Sequence, residues 1–395
     1  MPTPRHTLLA TVALILGGVA IGITEFVTMG LLPQIADGVK VDIPTAGHTI
    51  SAYAVGVVIG APVLAAWGAS KPRKGLLIGL VVAIIIGNVL SALAPGYGSL
   101  VGARVLAGLP HGAYFGVATL VAIDLAPAGQ AGRAVGRVML GIPVANLVGV
   151  PLVTWMGQAI GWRSAYWFVG VVAAAALAMI AVFVPRIVRA DANSVMQELR
   201  AFGSVQVALT FIAGSIGFGG MFAMYSYVAP LVTEVSQQPE RLVPVALFAF
   251  GLGGIVGNTL GGRMADWSVL RSVAIASVAM ALVLVALAFT AQWFVAAVVG
   301  ILLASVVAGV MAVAVMMRLI TVARSAQTLG AASSHASLNI ANALGAWLGG
   351  IVIAKGYCYT APSLVGAALA IGGLAVFGLS ILKHKRDQVA MDVTS

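Results

Sequence analysis

The chain has 395 residues, of which 61% are hydrophobic and 8% charged, with a formal net charge of +10 and a mean hydropathy of +1.07. No soluble domain of this length hides that much apolar surface, so its solvent is lipid. One cysteine, Cys358, excludes an internal disulfide, and five histidines without His-x-x-His or Glu-x-x-His spacing argue against a metal; no cofactor is expected.

A transmembrane barrel alternates apolar and polar residues, whereas these apolar runs are continuous and about 20 residues long, so the spans are helices. In chain order they read at about 8–32, 46–68, 75–95, 98–122, 134–157, 164–184, 207–231, 242–265, 272–290, 293–317, 329–354 and 360–382. The first run is too long for the apolar region of a signal peptide and lacks a convincing cleavage site, so it counts as span 1. With the N-terminus in the cytoplasm, sixteen Lys and Arg residues fall on the inner side and four, Lys40, Arg163, Arg241 and Lys355, on the outer side. That asymmetry predicts both termini in the cytoplasm of a multi-pass protein of the inner or plasma membrane. The basic charge is therefore a topology signal, and nucleic acid is not expected as a partner. The longest polar interval, near the middle of the chain, reads as a linker at 185–206, with an amphipathic inner-surface helix as one form. It separates an N-terminal six-helix bundle at 1–184 from a C-terminal one at 207–395, whose short tail after Lys383 is expected to be mobile.

The two halves echo each other. Ala145-Asn146-Leu147-Val148-Gly149 returns as Ala341-Asn342-Ala343-Leu344-Gly345, 196 positions later, and Tyr53-Ala54-Val55-Gly56 returns loosely as Phe248-Ala249-Phe250-Gly251. Pro33 and Asp37 foreshadow Pro230 and Glu234. Two matching halves too apolar for water are the signature of a transporter built from internal repeats, here an all-α protein of twelve spans in two pseudo-symmetric bundles.

Only Glu25 among the acids, and only Arg104 among the bases, sits well inside an apolar run. An intramembrane charge costs about 2.5–3.5 kcal/mol, so each requires a partner or a wet cavity. Counted from the outer ends of spans 1 and 4, their depths agree to within about 3 Å, so the two could meet. Pairing favours the charged carboxylate and desolvation the neutral acid; balanced between them, Glu25 can take up and release a proton. The alternative is a permanent salt bridge locking span 1 to span 4. His111 lies two turns from Arg104 on the same face, with Phe115 continuing it, and either relays a proton, bonds a substrate or is a satisfied structural group. Beside that face Arg104, Gly108, Gly112 and Gly116 recur every fourth residue and admit a close neighbour. In span 5, Pro143, Gly149 and Pro151 interrupt the helix, which reads as a flexing element or a packed seam. Asn146, Asn339 and Asn342 are polar groups at membrane depth, and Phe222 and Tyr225 are aromatic residues of span 7; each serves packing or a ligand.

The stretch from Glu25 to Pro33 with Ser51–Gly56 and Gly60-Ala61-Pro62, the Arg104–Gly112 run, Gly149-Val150-Pro151, and Gly161-Trp162-Arg163 onward resemble the major facilitator superfamily. The likeness is to its twelve-span drug/proton antiporter branch, which includes bacterial arabinose-efflux and chloramphenicol-efflux proteins. It covers nearly the whole chain. It implies a monomer in which two bundles give alternating access to a central cavity lined mostly by spans 1, 4, 7 and 10. Gly262-Arg263-Met264-Ala265-Asp266 with Arg271 is similar to the family's cytoplasmic gating motif; the first-half copy, Gly68 to Lys74, lacks the aspartate, and Asp124 is the acid that Arg73 and Lys74 could contact. The span-5 motif also departs, with Gly-Val-Pro where Gly-Pro is usual. The expectation is thus a proton-coupled antiporter, not an enzyme, exporting small amphipathic or apolar compounds such as antibiotics in multidrug resistance. An exporter of a sugar, nucleoside or other metabolite on the same scaffold is the alternative. Glu25, Arg104 and His111 are the candidate proton-coupling residues. Phe26, Met29, His111, Phe115, Asn146, Phe222, Tyr225, Asn339 and Asn342 are the candidate substrate contacts, and Arg73, Lys74, Asp124, Arg263, Asp266 and Arg271 the candidate gate.

Overall fold

The computed structural model describes residues 4–41, 43–68, 71–186, 204–239, 242–323 and 326–394; most of the expected linker lies outside them. Among the described residues every regular element is a helix. The first half holds α1 (Pro4–Gly30), α2 (Leu32–Gly38), α3 (Ile43–Gly68), α4 (Arg73–Leu93), α5 (Tyr97–Leu125), α6 (Ala131–Met139), α7 (Gly141–Val144), α8 (Val150–Ile160) and α9 (Arg163–Phe183). The second holds α10 (Val205–Gly217), α11 (Gly219–Tyr225), α12 (Val228–Pro230), α13 (Val243–Thr290), α14 (Phe294–Val322), α15 (Gln327–Ala354) and α16 (Ala361–Thr394). Eleven segments among the described residues are long and apolar enough to cross a membrane. Large apolar side chains such as Trp155, Phe289 and Val295 remain exposed, as lipid-facing surface requires.

Eleven segments correspond to the twelve expected runs because the eighth and ninth both fall in α13, 48 residues long. Within it Ser268 is extended (φ −167°, ψ 111°), and its Oγ accepts a bond from the Arg271 backbone N–H at 3.4 Å. A serine outside helical geometry bonding the N–H three residues on is a helix N-cap, so a new helix begins there. Span 5 is interrupted where the prolines predicted: a π-helical turn at Ala145–Gly149 joins α7 to α8, with Pro151 in the first turn of α8. The last apolar span, Ala361–Lys383, lies where expected, and its helix continues past it. As a helix α16 runs on to Thr394, because the stretch from Lys383 to Thr394 contains neither glycine nor proline to stop it.

The chain divides into two compact units, Met1–Glu198 with Ala331–Ala336, and Leu199–Gly330 with Ser337–Ser395. Each unit repeats the internal packing of the other. In the first, Gly56 and Gly60 of α3 lie so close to the Val105 and Leu109 carbonyls of α5 that a Cβ would collide with them. In the second, Gly253 and Gly257 of α13 meet the Leu302 and Val306 carbonyls of α14 in the same way. All four positions are displaced by the same 197 residues. Gly22 faces Ala145, and its counterpart Gly219 faces Ala341. Helices without a hydrophobic force to join them in lipid approach through small residues, and the repeat preserves those positions.

Candidate functional site

The first unit gathers the membrane-embedded charges. α1 is held in rotation by two threonines one turn apart. Thr24 Oγ1 donates to Asn88 Oδ1 of α4 at 2.7 Å, and Thr28 Oγ1 bonds Tyr166 Oη of α9 at 2.8 Å. Both threonines are buried. Glu25, next to Thr24, is half-buried, as is Phe26, while Met29 at the end of α1 is exposed. The threonine bonds thus fix the direction in which the Glu25 side chain leaves the helix.

Arg104 of α5 is fully buried, and its guanidinium lies 4.5 Å from the ring centroid of Tyr53 (α3) and 5.6 Å from that of Tyr166. It forms no direct ion pair with Glu25, which corrects the contact admitted by their matching depths. The cation faces two aromatic π-systems instead, each worth about 2 kcal/mol when desolvated. None of its three nitrogens has a hydrogen-bond acceptor among the described residues. Glu25, Tyr53 and Arg104 nevertheless lie within electrostatic reach of one another. The arrangement is a fixed cation with its donors unspent and a nearby carboxylate that is not bound to it.

The face predicted for α5 is present and extends further. Tyr53 Oη lies 3.0 Å from His111 Nδ1, and His111 Nε2 lies 3.2 Å from His335 Nδ1. Phe115 stacks on the His335 ring, with centroids 4.3 Å apart and planes 16° from parallel. Tyr53, His111, Phe115 and His335 are all buried. Glycines at 112 and 116 make this possible: Ala332 of the 331–336 segment packs directly on both. Three of these groups, Tyr53, Tyr166 and His335, are absent from the candidates that the sequence suggests. Tyr53 and Tyr166 lie inside motif stretches whose aromatic residues look like packing, and His335 lies in an apolar run more than two hundred positions from His111.

The remaining candidates do not join that cluster. Asn146 is half-buried in the π-helical turn. In the second unit Phe222 lies 5.7 Å from Phe218, and Tyr225 stacks on Phe250 with centroids 4.1 Å apart. Asn339 is buried and Asn342 half-buried, both on α15.

Of the gate candidates, Arg73 and Asp124 form an ion pair, and the Arg73 guanidinium also donates to the Leu120 carbonyl at 3.2 Å. Asp124 of α5 thus supplies the carboxylate that the first-half motif lacks. Lys74 turns away and donates to the Ala181 carbonyl of α9 at 2.7 Å. Arg73 is buried while Asp124 is about one-third exposed, so Asp124→Asn leaves a buried cation facing a neutral amide. The expected cost is about 1–3 kcal/mol, below that of a fully buried pair because water screens the carboxylate. It is read as a lower unfolding midpoint in detergent, and an unchanged midpoint would remove the pair from the fold's support. In the second-half motif Arg263 is exposed, Asp266 half-buried, and Arg271 lies 5.1 Å over the Trp267 ring.

Residues 14–334 match the sequence profile described as Major Facilitator Superfamily. The chain is 35% identical over 378 residues to the inner membrane transport protein YdhP of Escherichia coli K12, covering 95% of this chain and 96% of that one. It is 30% identical over 350 residues to the chloramphenicol resistance protein of Streptomyces lividans, covering 87% and 88%. Among solved structures the proton:xylose symporter XylE superposes with a TM-score of 0.76 at 15% identity over 95% of each chain, a likeness of fold alone.

Proposed function

The chain belongs to the Major Facilitator Superfamily, a multi-pass membrane transporter and not an enzyme, and we propose that it is a proton-coupled antiporter exporting small amphipathic or apolar compounds such as antibiotics. The observation that carries this reading is Glu25, a half-buried carboxyl held one residue from the Thr24 anchor and within electrostatic reach of the unspent Arg104 guanidinium. A free acid beside a fixed cation has two stable conditions. Deprotonated, it is drawn to Arg104; protonated, that attraction is gone. In the proposed cycle Glu25 takes a proton when the cavity opens outward. It releases the proton inward as substrate arrives, and alternating access of two six-helix bundles carries each across. His111 and Phe115, with Phe26 and Met29 near Glu25, are the proposed substrate contacts of the first half; Asn146, Phe222, Tyr225, Asn339 and Asn342 are proposed for the rest. The similarity to a chloramphenicol resistance protein supports the substrate class.

The test uses everted vesicles from an efflux-deficient bacterial host carrying the gene, energised to an acidic interior and read with a pH-sensitive dye. Chloramphenicol, lipophilic dyes, sugars and nucleosides are added in turn. Dissipation of the gradient by chloramphenicol or a lipophilic dye supports the reading. Dissipation by sugars or nucleosides alone transfers the protein to metabolite export, and none by any compound removes proton antiport.

The proposed topology places both termini in the cytoplasm and the turn between α15 and α16 outside. That turn carries the chain's one cysteine, Cys358, which is exposed. A hydrogen bond with Thr360 Oγ1 at 2.9 Å favours its thiolate and holds the thiol below its ordinary range. At neutral pH the thiolate fraction is therefore raised, and thiolate is the reacting form. A membrane-impermeant maleimide is expected to label Cys358 in intact cells, and Thr360→Val to slow that labelling severalfold. Labelling only after the cells are opened would invert the proposed topology.

A further inference from the structure

The contact between His111 and His335 has a capacity set by hydrogen count. At 3.2 Å there is room for one hydrogen between His111 Nε2 and His335 Nδ1. With both rings neutral, one ring donates and the other accepts. One added proton is also accommodated: His111 then carries hydrogens on both nitrogens, donating through Nε2 to His335 and through Nδ1 to Tyr53 Oη. A second added proton puts N–H against N–H across the contact, with two like charges behind them. The pair therefore behaves as a unit that accepts one proton and rejects the next.

What that contact holds is a piece of backbone. The segment Ala331–Ala336 clusters with the first unit although the rest of α15 does not. It is seated on α5 by Ala332 against Gly112 and Gly116, and by the Phe115–His335 stack. The buried Ser334 hydroxyl is spent on the Ala331 carbonyl of its own helix, whereas the histidine pair gives this segment a polar side-chain link to α5. Among the described residues, the charged and titratable groups around the pair include Tyr53 from α3, Arg104 from α5 over the Tyr53 ring, Tyr114 beside Phe115, and Glu25 from α1 acting through the Tyr53–Arg104 neighbourhood. Tyr114 is occupied, donating to the Leu14 carbonyl at 2.8 Å.

We propose that His335 is a positioning residue whose one-proton pair with His111 latches the 331–336 segment onto α5, and that entry of a second proton opens the latch. The undocked segment leaves each imidazole free to bind its own proton, so acid favours undocking and alkali favours docking. This goes beyond the role proposed for Glu25, because it concerns a second titrating unit on different helices.

Hydrogen exchange of the 331–336 amides in detergent-purified protein, corrected for intrinsic rates, tests the proposal between about pH 8 and about pH 5. Neither substrate nor gradient is needed, so the result stands apart from that of the vesicle assay. In the unmodified protein, protection is expected to fall about tenfold per pH unit across the range where one extra proton accompanies opening. His335→Gln keeps a side-chain acceptor for a protonated His111 and is expected to flatten that slope while the segment stays protected; His111→Gln flattens it from the other side. An equal slope in the unmodified protein and in His335→Gln, or a flat profile in the unmodified protein, overturns the proposal.

Discussion

Glu25→Gln is expected to uncouple the transporter while leaving it folded. The substitution preserves size and keeps hydrogen-bonding capacity, and the bonds that set the rotation of α1 belong to Thr24 and Thr28. What it removes is the charged form. In the proposed cycle a deprotonated Glu25 accompanies substrate and a protonated one accompanies the empty return, so proton and substrate compete. Binding of an exported compound by the unmodified protein should then weaken as pH falls through the titration of that carboxyl. The glutamine variant, fixed in the neutral condition, should bind weakly and without pH dependence. Compound-driven dissipation of the vesicle gradient should drop at least about a hundredfold, equivalent to about 2.7 kcal/mol. Glu25→Asp keeps the ionising group one methylene short and should retain reduced coupling. A glutamine variant that dissipates the gradient like the unmodified protein would take Glu25 out of the mechanism.

Much of the scaffold is legible in the sequence. Composition required lipid, run length required helices, and the echo of Ala145–Gly149 at Ala341–Gly345 announced a duplication that the packing of Gly56 on Val105 and Gly253 on Leu302 repeats. Two features were not legible. The polar gap at Arg263, Asp266 and Arg271 marks the break between spans eight and nine, but not that a single extended residue, Ser268, makes it inside one nearly continuous helix. The Arg104 environment was hidden for a different reason. Depth along a helix gives height but not azimuth, so Glu25 and Arg104 could be set level but not facing. The rings of Tyr53 and Tyr166 take that position, and an aromatic residue in an apolar run carries no mark distinguishing a cation's neighbour from core.

The duplication also separates scaffold from chemistry. Displaced by the same 197 positions that relate the packing glycines, Glu25 corresponds to Phe222, Tyr53 to Phe250 rather than to the Phe248 of the looser sequence echo, Arg104 to Ile301 and His111 to Ala308. Close-approach positions are kept in both halves, whereas Glu25, Tyr53, Arg104 and His111 each have an apolar counterpart. A group needed only to let helices touch is needed twice in a two-fold architecture. In the proposed cycle a proton-carrying carboxyl is needed once, and a second copy would bury another charge at a cost of about 2.5–3.5 kcal/mol. Phe222 and Phe250 turn the corresponding region of the second unit apolar, with Tyr225 stacked on Phe250. An apolar wall of this kind suits the class of compound proposed.

The second large effect belongs to Arg104. Arg104→Gln should reduce coupled efflux about as much as Glu25→Gln, because a carboxyl without the cation loses the attraction that distinguishes its charged condition. The informative measurement is the pair. If the two residues act as one unit, the double variant Glu25→Gln with Arg104→Gln should be no worse than either single one, a non-additivity of roughly the full single effect. It should also be the better folded, since Arg104→Gln removes a buried cation whose nitrogens have no acceptor among the described residues. Arg104→Lys separates charge from placement. An ammonium is a compact point charge on a flexible stem and cannot present a planar face to Tyr53 and Tyr166 together. Losing one such contact costs about 2 kcal/mol, or about thirtyfold in rate if it positions the cation for Glu25. Initial rates for the four members of the cycle decide the matter. Additive losses would mean that Arg104 serves transport independently of Glu25, and the two-condition account of the carboxyl would have to be abandoned.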